Sequence, residues 1–349
     1  MPDLFTIAPL NDNLRRELAD DFTLHHVREM DDPLAWLDAN GAGIRYVLTD
    51  GHWGIAPDYL ARLPDLQLVS CNGVGYDAID TDLAVSRNVV VTHTPGVLDQ
   101  EVATTALMLL MACFRNFRAE AENARSGRWE RDGGLPLAHS VDNRTIAILG
   151  LGRIGMAIAR KLAPFNPRIL YSARSEKDVP FEYFGDLVAM AREADALISV
   201  APGGAATEHM IGREVIEALG PEGILINIGR GSVVDEQALI AALEAGQLGG
   251  AGLDVFEAEP HIPEALRARD DVVLTPHIGS ATVETRAAMA KLAIDNLRQH
   301  IADGTVLTPV PECAAIGLAP GAGQTGAPDK GARGTGPVTR PLPSKSQNR

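Results

Sequence analysis

Four polar residues in the second half of the chain follow short apolar runs, where strands would end. They are Arg230 in "INIGRGSVVDE", Asp254 and Glu259 in "GLDVFEAEP", and His277 in "VVLTPHIGSAT". Each has an ordinary alternative: Arg230 as a capping or salt-bridging group, Asp254 as a turn former, Glu259 as a surface acid, His277 as a core histidine. Taken together they are the parts of a site. A histidine backed by a carboxylate is oriented and favoured in its protonated form, so it can donate a proton near neutral pH. An arginine can grip a carboxylate and polarise an adjacent carbonyl.

A nucleotide site lies upstream. The run "TIAILG" enters Gly150, Gly152 and Gly155 in G-x-G-x-x-G spacing, and "MAIARKL" continues as a helix. The first glycine permits a tight turn, the second lets phosphates approach the backbone, and the third lets helix and strand pack closely. Amides at the helix start then face a pyrophosphate. In NAD-binding proteins an acid about 20 residues past the glycines takes the ribose 2′-hydroxyl. Here "ILYSARSEK" places Ala173 at that point, followed by Arg174 between Ser172 and Ser175. An arginine flanked by hydroxyls suits a phosphate on that oxygen, so the expected cofactor is NADP, with NADPH preferred over NADH. A solvated Arg174 in a relaxed NAD site is the alternative. With a hydride source, a cation for a carboxylate and carbonyl, and a proton donor, the parts suit hydride addition to a 2-oxo acid.

The elements that must position these groups alternate short β-branched runs with helical patterns, the mark of parallel sheets covered by helices. One stretch includes "IRYVLTD" (44–50), "LQLVSCN" (66–72) and "NVVVTHT" (88–94). A second contains six strands, "TIAILG", "RILYSA", "ALISVA", "GILINIG", "GAGLDVF" and "VVLTPH", divided three and three as in a dinucleotide fold. Between the stretches, "LDQEVATTALMLLMACFRNFRAEAENARSG" is expected to form one long helix capped by Asp99 and ended by Gly127. It is apolar on nearly every side, which implies burial in the core and against a second subunit: a homodimer through residues 99–126. Asp235 is placed to cap "EQALIAALEAG", and residues 283–304 form a closing helix.

Composition narrows the partners. The chain has 349 residues, 46% hydrophobic, room for two domains, and a formal charge of −15. That charge argues against nucleic acid or an anionic membrane. The longest apolar run, "ALMLLMACF", is too short to span a bilayer, and the first residues lack a signal-peptide pattern, so a cytoplasmic location is expected. Cys71, Cys113 and Cys313 are spaced for neither a metal nor a disulfide framework. From about residue 315 to 349 the composition turns to Gly, Pro, Ser and Thr with five cations against one acid, and a disordered tail is expected.

"GLGRIG", "NIGRGSVVDE", "GAGLDVFEAEP" and "TPHIGSAT" resemble the D-isomer-specific 2-hydroxyacid dehydrogenases over residues 45 to about 312. "SCNGVGYDAID" and "GREVIEALGPEGILINIGRGSVVDE" are similar to the NADPH-preferring hydroxyphenylpyruvate and glyoxylate/hydroxypyruvate reductase branch. The resemblance implies two Rossmann-like or flavodoxin-like parallel-sheet domains: a discontinuous substrate domain of residues 1–97 and 285–312, and a cofactor domain of residues 98–284. It implies His277 as acid/base, Glu259 as its partner, and Arg230 as the substrate-binding and polarising group. It further implies that the amides of Val74 and Gly75 meet a substrate carboxylate and that Asp254 sits near the nicotinamide carboxamide. Arg153 is expected near the phosphates, with Ile154, Ile228 and Gly279 against the cofactor. The implied substrates are glyoxylate, hydroxypyruvate or an aryl pyruvate, and His52 and Trp53 are candidates for an aryl pocket.

Two relatives in fold offer other functions. Formate dehydrogenases are expected to carry Gln in place of Glu259, which disfavours that reading. Corepressors of the C-terminal-binding type keep the fold and the Arg–Glu–His set, so an NAD(H)-binding sensor is the alternative that turnover must separate. The chain departs from the family at "APGGAATE", where Gly203 and Gly204 replace a Leu-Thr pair after Pro202 and receive no role.

Overall fold

A computed structural model describes residues 1–317. Most of the expected disordered tail therefore lies outside the described residues. Its expected start at 315 falls too early, because Ala314–Gly317 form a helical turn.

The chain is α/β, with two sheets whose strands all run parallel. The first comprises β1 (Asp3–Thr6), β2 (Thr23–His26), β3 (Tyr46–Thr49), β4 (Leu68–Cys71) and β5 (Val90–Thr92), in the order β2-β1-β3-β4-β5. This is the flavodoxin-like doubly wound order.

The second sheet comprises β6 (Thr145–Leu149), β7 (Arg168–Ser172), β8 (Glu182–Tyr183), β9 (Ala196–Ser199), β10 (Ile224–Asn227), β11 (Gly250–Leu253) and β12 (Val272–Leu274). Its order is β12-β11-β10-β9-β6-β7-β8. The expected division of six strands into three and three is corrected here. The added edge strand β8 completes the first half, so "ALISVA" opens the second and the switch point falls between β6 and β9. With only two residues, β8 leaves no β-branched run to detect.

The connecting helix also differs from expectation. Leu98, not Asp99, is the N-cap of Asp99–Phe114, and its side chain makes no capping bond. Asn116, at φ 49°, then breaks the path, and a separate helix spans Phe117–Arg125. Gly127 at φ 72° follows that second helix, as its lack of a Cβ permits. The inner face of Asp99–Phe114 buries Val102, Ala106, Leu109, Leu110 and Phe114, while Met108 and Met111 face outward. Gly252 on β11 lets this helix lie close: a Cβ there would stand 2.9 Å from that of Leu109.

Helix Val283–Asp303 is capped by Thr282, whose hydroxyl accepts from the Thr285 amide, and Gly304 in the left-handed region ends it. It links the two cores. Met289 packs in the second-sheet core, whereas Ala293, Ile294 and Leu297 pack in the first. Burying Ile294 and Leu297 contributes about 1.5–3 kcal/mol each. Ser70 donates to the Ala293 carbonyl at 2.9 Å, and Val310 then pairs with Val91, so the returning chain lies along β5.

Candidate active site

Every residue singled out for chemistry lies at or beyond the carboxyl end of a strand, where open α/β sheets bind ligands. The turn after β6 shows what its three glycines do. Gly150 sits at φ 97°, and a Cβ there would press on the Val200 carbonyl carbon at 3.1 Å. A Cβ on Gly155 would fall 2.3 Å from the Gly150 oxygen, whereas one on Gly152 would meet nothing within 4 Å. Gly152 is also the N-cap of helix Arg153–Leu162 and supplies no side-chain cap. Open space before free helix amides fits an anionic pyrophosphate. Arg153 is exposed beside it, 3.7 Å from the buried Asp99 carboxylate, and Ile154 is half-buried on the next position.

At the end of β7, Ser172 is half-buried and Arg174 and Ser175 are exposed. Burial and the Glu312 carboxylate push the Tyr76 hydroxyl up to about 12, and the Arg174 charge opposes them.

The loop after β12 is built on Asp254, which is 1% exposed. Its Oδ1 accepts from the Thr275 hydroxyl at 2.6 Å and the Ile278 amide at 2.8 Å, and its Oδ2 from the Gly279 amide at 2.8 Å. These bonds clamp the segment that carries His277, whose own amide donates to the Asp254 carbonyl at 2.8 Å. His277 adopts φ 53°, a left-handed backbone uncommon outside glycine, and this turns the residue out of the strand direction.

His277 Nδ1 lies 2.8 Å from Glu259 Oε2. An ionised carboxylate only accepts, so Nδ1 carries the proton and Nε2 is the ring atom left for a substrate. Glu259 Oε1 accepts from the Phe256 amide at 3.0 Å. Burial pushes the Glu259 carboxyl up, but the bond and charge of His277 and the Phe256 amide outweigh it and hold the group below its usual range. His52 joins from the loop after β3, its Nδ1 3.8 Å from the same Oε2. Trp53 beside it is partly exposed and lies under the Arg28 guanidinium at 4.8 Å.

Arg230 follows the buried Ile228 at the end of β10. Asn227 shapes the turn, donating to the Arg230 carbonyl at 2.8 Å and accepting from the Gly229 amide at 3.2 Å. The guanidinium reaches the loop holding Val74 and Gly75, where it pairs with Asp77. That loop is fixed from behind. Thr94 donates to the Gly73 carbonyl at 2.9 Å, and His93 Nδ1 donates to that of Val74 at 3.0 Å. Burial pushes the His93 ring down, keeping it neutral, and the Val74 bond partly opposes this.

The structure thus brings Arg230 together with Val74 and Gly75, and His277 together with Glu259 and Asp254. Asp77 stands inside "SCNGVGYDAID", but no local spacing signals its partner, because Arg230 lies 153 residues away in the sequence. Asp235 is the cap that was expected, accepting from the Ala238 amide at 2.9 Å.

An open α/β nucleotide turn beside an Arg, a Glu–His pair and an amide loop defines a class, the oxidoreductases that use a nicotinamide cofactor. Comparison with known proteins gives the family. Residues 107–279 match the model of the D-isomer specific 2-hydroxyacid dehydrogenase, NAD binding domain. The glyoxylate/hydroxypyruvate reductase A HPR2 of Arabidopsis thaliana is 41% identical over 305 residues, 87% of this chain and 97% of that protein. The hydroxyphenylpyruvate reductase of Plectranthus scutellarioides is 40% identical over the same shares. Among solved structures, the NADPH-dependent glyoxylate/hydroxypyruvate reductase of Sinorhizobium meliloti in complex with NADP and malonate superposes with a TM-score of 0.84 at 41% identity, covering 89% of this chain and 97% of that one. The chain belongs to the D-isomer specific 2-hydroxyacid dehydrogenase family.

Proposed function

We propose that the chain reduces a small 2-oxo acid to the D-2-hydroxy acid with NADPH. The observation that carries this reading is the His277–Glu259 pair at 2.8 Å, on a loop clamped by Asp254. When bound, the reduced nicotinamide supplies the hydride. Arg230 and the amides of Val74 and Gly75 take the substrate carboxylate and orient the adjacent carbonyl. His277 gives its Nε2 proton to the carbonyl oxygen as the hydroxyl forms, and Glu259, as a carboxylate, keeps the Nδ1 proton in its hydrogen bond, so the neutral ring left behind is the Nδ1–H tautomer. The balance is one 2-oxo acid, one NADPH and one proton consumed, and one hydroxy acid and NADP⁺ released.

Residues 98–284 would hold the cofactor, with Gly150, Gly152, Gly155, Arg153 and Ile154 at the pyrophosphate and Arg174, Ser172 and Ser175 at the 2′-phosphate. Asp254, Ile228 and Gly279 would stand at the nicotinamide end. Residues 1–97 and 285–312 would present the acid, the two units closing to exclude water. Glyoxylate, hydroxypyruvate and aryl pyruvates are the candidate substrates. The protein would act in the cytoplasm as a homodimer, with Met108, Met111, Phe117 and Trp129, all exposed, at the subunit contact. No helix among the described residues is long and apolar enough to cross a membrane.

Initial rates with NADPH and NADH against glyoxylate, hydroxypyruvate, pyruvate, phenylpyruvate and 4-hydroxyphenylpyruvate test the reading. Failure to oxidise either cofactor with any of them would favour the sensor alternative. His277→Ala should reduce kcat by roughly 10²- to 10⁴-fold.

A further inference from the structure

The Arg230 side chain is held at two of its three nitrogens. Its Nε donates to Asp77 Oδ1 at 3.0 Å, with Oδ2 at 3.3 Å, and its Nη1 donates to the Gly229 carbonyl at 2.9 Å. Nη2 is left between two glycines: a Cβ on Gly75 would fall 1.6 Å from it, and one on Gly51 3.2 Å. Asp77 follows β4 of the first sheet and Arg230 follows β10 of the second, so this ion pair joins loops from both sheets. The two side chains are 23% and 27% exposed, so solvent screens the pair less than a fully exposed one.

Position 203, with no side chain, leaves room for that carboxylate where it stands. A Cβ on Gly203 would stand 2.9 Å from Asp77 Oδ2 and 3.1 Å from Arg230 Cγ. This gives a physical reason for a glycine at one of the two positions where the chain departs from its family.

We propose that Asp77 is a positioning residue that fixes the Arg230 guanidinium across the cleft, with Nη2 presented beside the Val74–Gly75 amides, and that Gly203 keeps room for it. An arginine tied at Nε and Nη1 cannot swing, so its remaining donor is aimed before an anion arrives and less ordering is left for the binding step. The inference rests on the reading of Arg230 as the group that takes a substrate carboxylate.

Asp77→Asn keeps the size and removes the charge. It should lower kcat/KM for the 2-oxo acid by roughly tenfold to a hundredfold, chiefly through KM, while the Kd for NADPH, read by its fluorescence, stays within about twofold. Gly203→Ala, which crowds the same carboxylate, should shift the same parameter in the same direction. In an Arg230→Lys background Asp77→Asn should add little, since both act through one group. Oxamate, a 2-oxo acid isostere that is not reduced, gives a readout independent of turnover: its thermal stabilisation of the protein should shrink in Asp77→Asn. If the native protein turns over no 2-oxo acid but still binds oxamate in an Asp77-dependent way, the proposed reaction fails and the positioning role stands. Asp77→Asn that binds oxamate as the native protein does, or that loses NADPH and oxamate affinity equally, overturns the proposal.

Discussion

Nδ1 of His52 stands 3.8 Å from Oε2 of Glu259, the oxygen that accepts the His277 bond, so two histidines address one carboxylate. They arrive from different sheets, His52 after β3 and His277 after β12. Their grips differ. The His277 contact is a hydrogen bond, whereas that of His52 exceeds hydrogen-bond length and its side chain is 45% exposed. A partly solvated pair at that separation contributes up to about 1 kcal/mol. His52→Ala should therefore change kcat by less than about fivefold. A loss comparable to that of His277→Ala, in side-by-side steady-state kinetics, would make His52 the proton donor instead.

Glu259 sets a pH dependence of stability. Its folded carboxyl lies below the unfolded value, so ionisation contributes stability that is present above about pH 4.3 and is lost as pH falls through the folded value. Above about pH 5, Glu259→Gln should unfold at lower urea concentration than the native protein. On acidification below the usual glutamate range the two midpoints should converge. A gap that stays constant down to pH 3 would show that the carboxylate's charge contributes nothing.

Arg174 governs the choice of cofactor in the proposed function. It is exposed, which discounts its charge–phosphate attraction toward the low end for such pairs. Replacement by Ala should raise KM for NADPH roughly tenfold and leave KM for NADH unchanged. Equal effects on both cofactors, or none, would remove Arg174 from the 2′-phosphate site.

The sequence displayed its sheets wherever β-branched runs are long enough to alternate with helices. It concealed them where strands are short or polar. β2 reads "TLHH" and β8 only "EY", so neither carries an apolar run, and without β8 a three-and-three division assigns "ALISVA" to the first half. The helix break at Asn116 rests on one left-handed asparagine, a weaker stop signal than the glycine at position 127. At the site, Arg230, Glu259 and His277 were legible through their positions past strand ends. The groups that hold them were less so. The Asp254 clamp and the Asp77–Arg230 pair join residues 21 to 153 positions apart, a proximity created by packing and absent from local spacing. Gly203, likewise, could be noticed as a departure, but its use depends on which side chains stand over it.

Two glycines three residues apart should fail in different ways. A Cβ on Gly155 meets the Gly150 carbonyl oxygen at 2.3 Å and its carbon at 3.2 Å, backbone atoms that cannot rotate aside as a side chain would, so helix Arg153–Leu162 must move off β6. Gly155→Ala should cost about 1–3 kcal/mol or more and lower Tm by at least several degrees. Gly152 has φ −86°, allowed for any residue, and a Cβ there meets no protein atom within 4 Å. Gly152→Ala should keep the native Tm within roughly a degree yet weaken NADPH binding by tenfold or more on the order of 1.4 kcal/mol, because the new methyl occupies the space left before the helix amides. Calorimetry and fluorescence titration on both variants separate packing from ligand approach. A Gly152→Ala protein that binds NADPH with native affinity would place the pyrophosphate elsewhere.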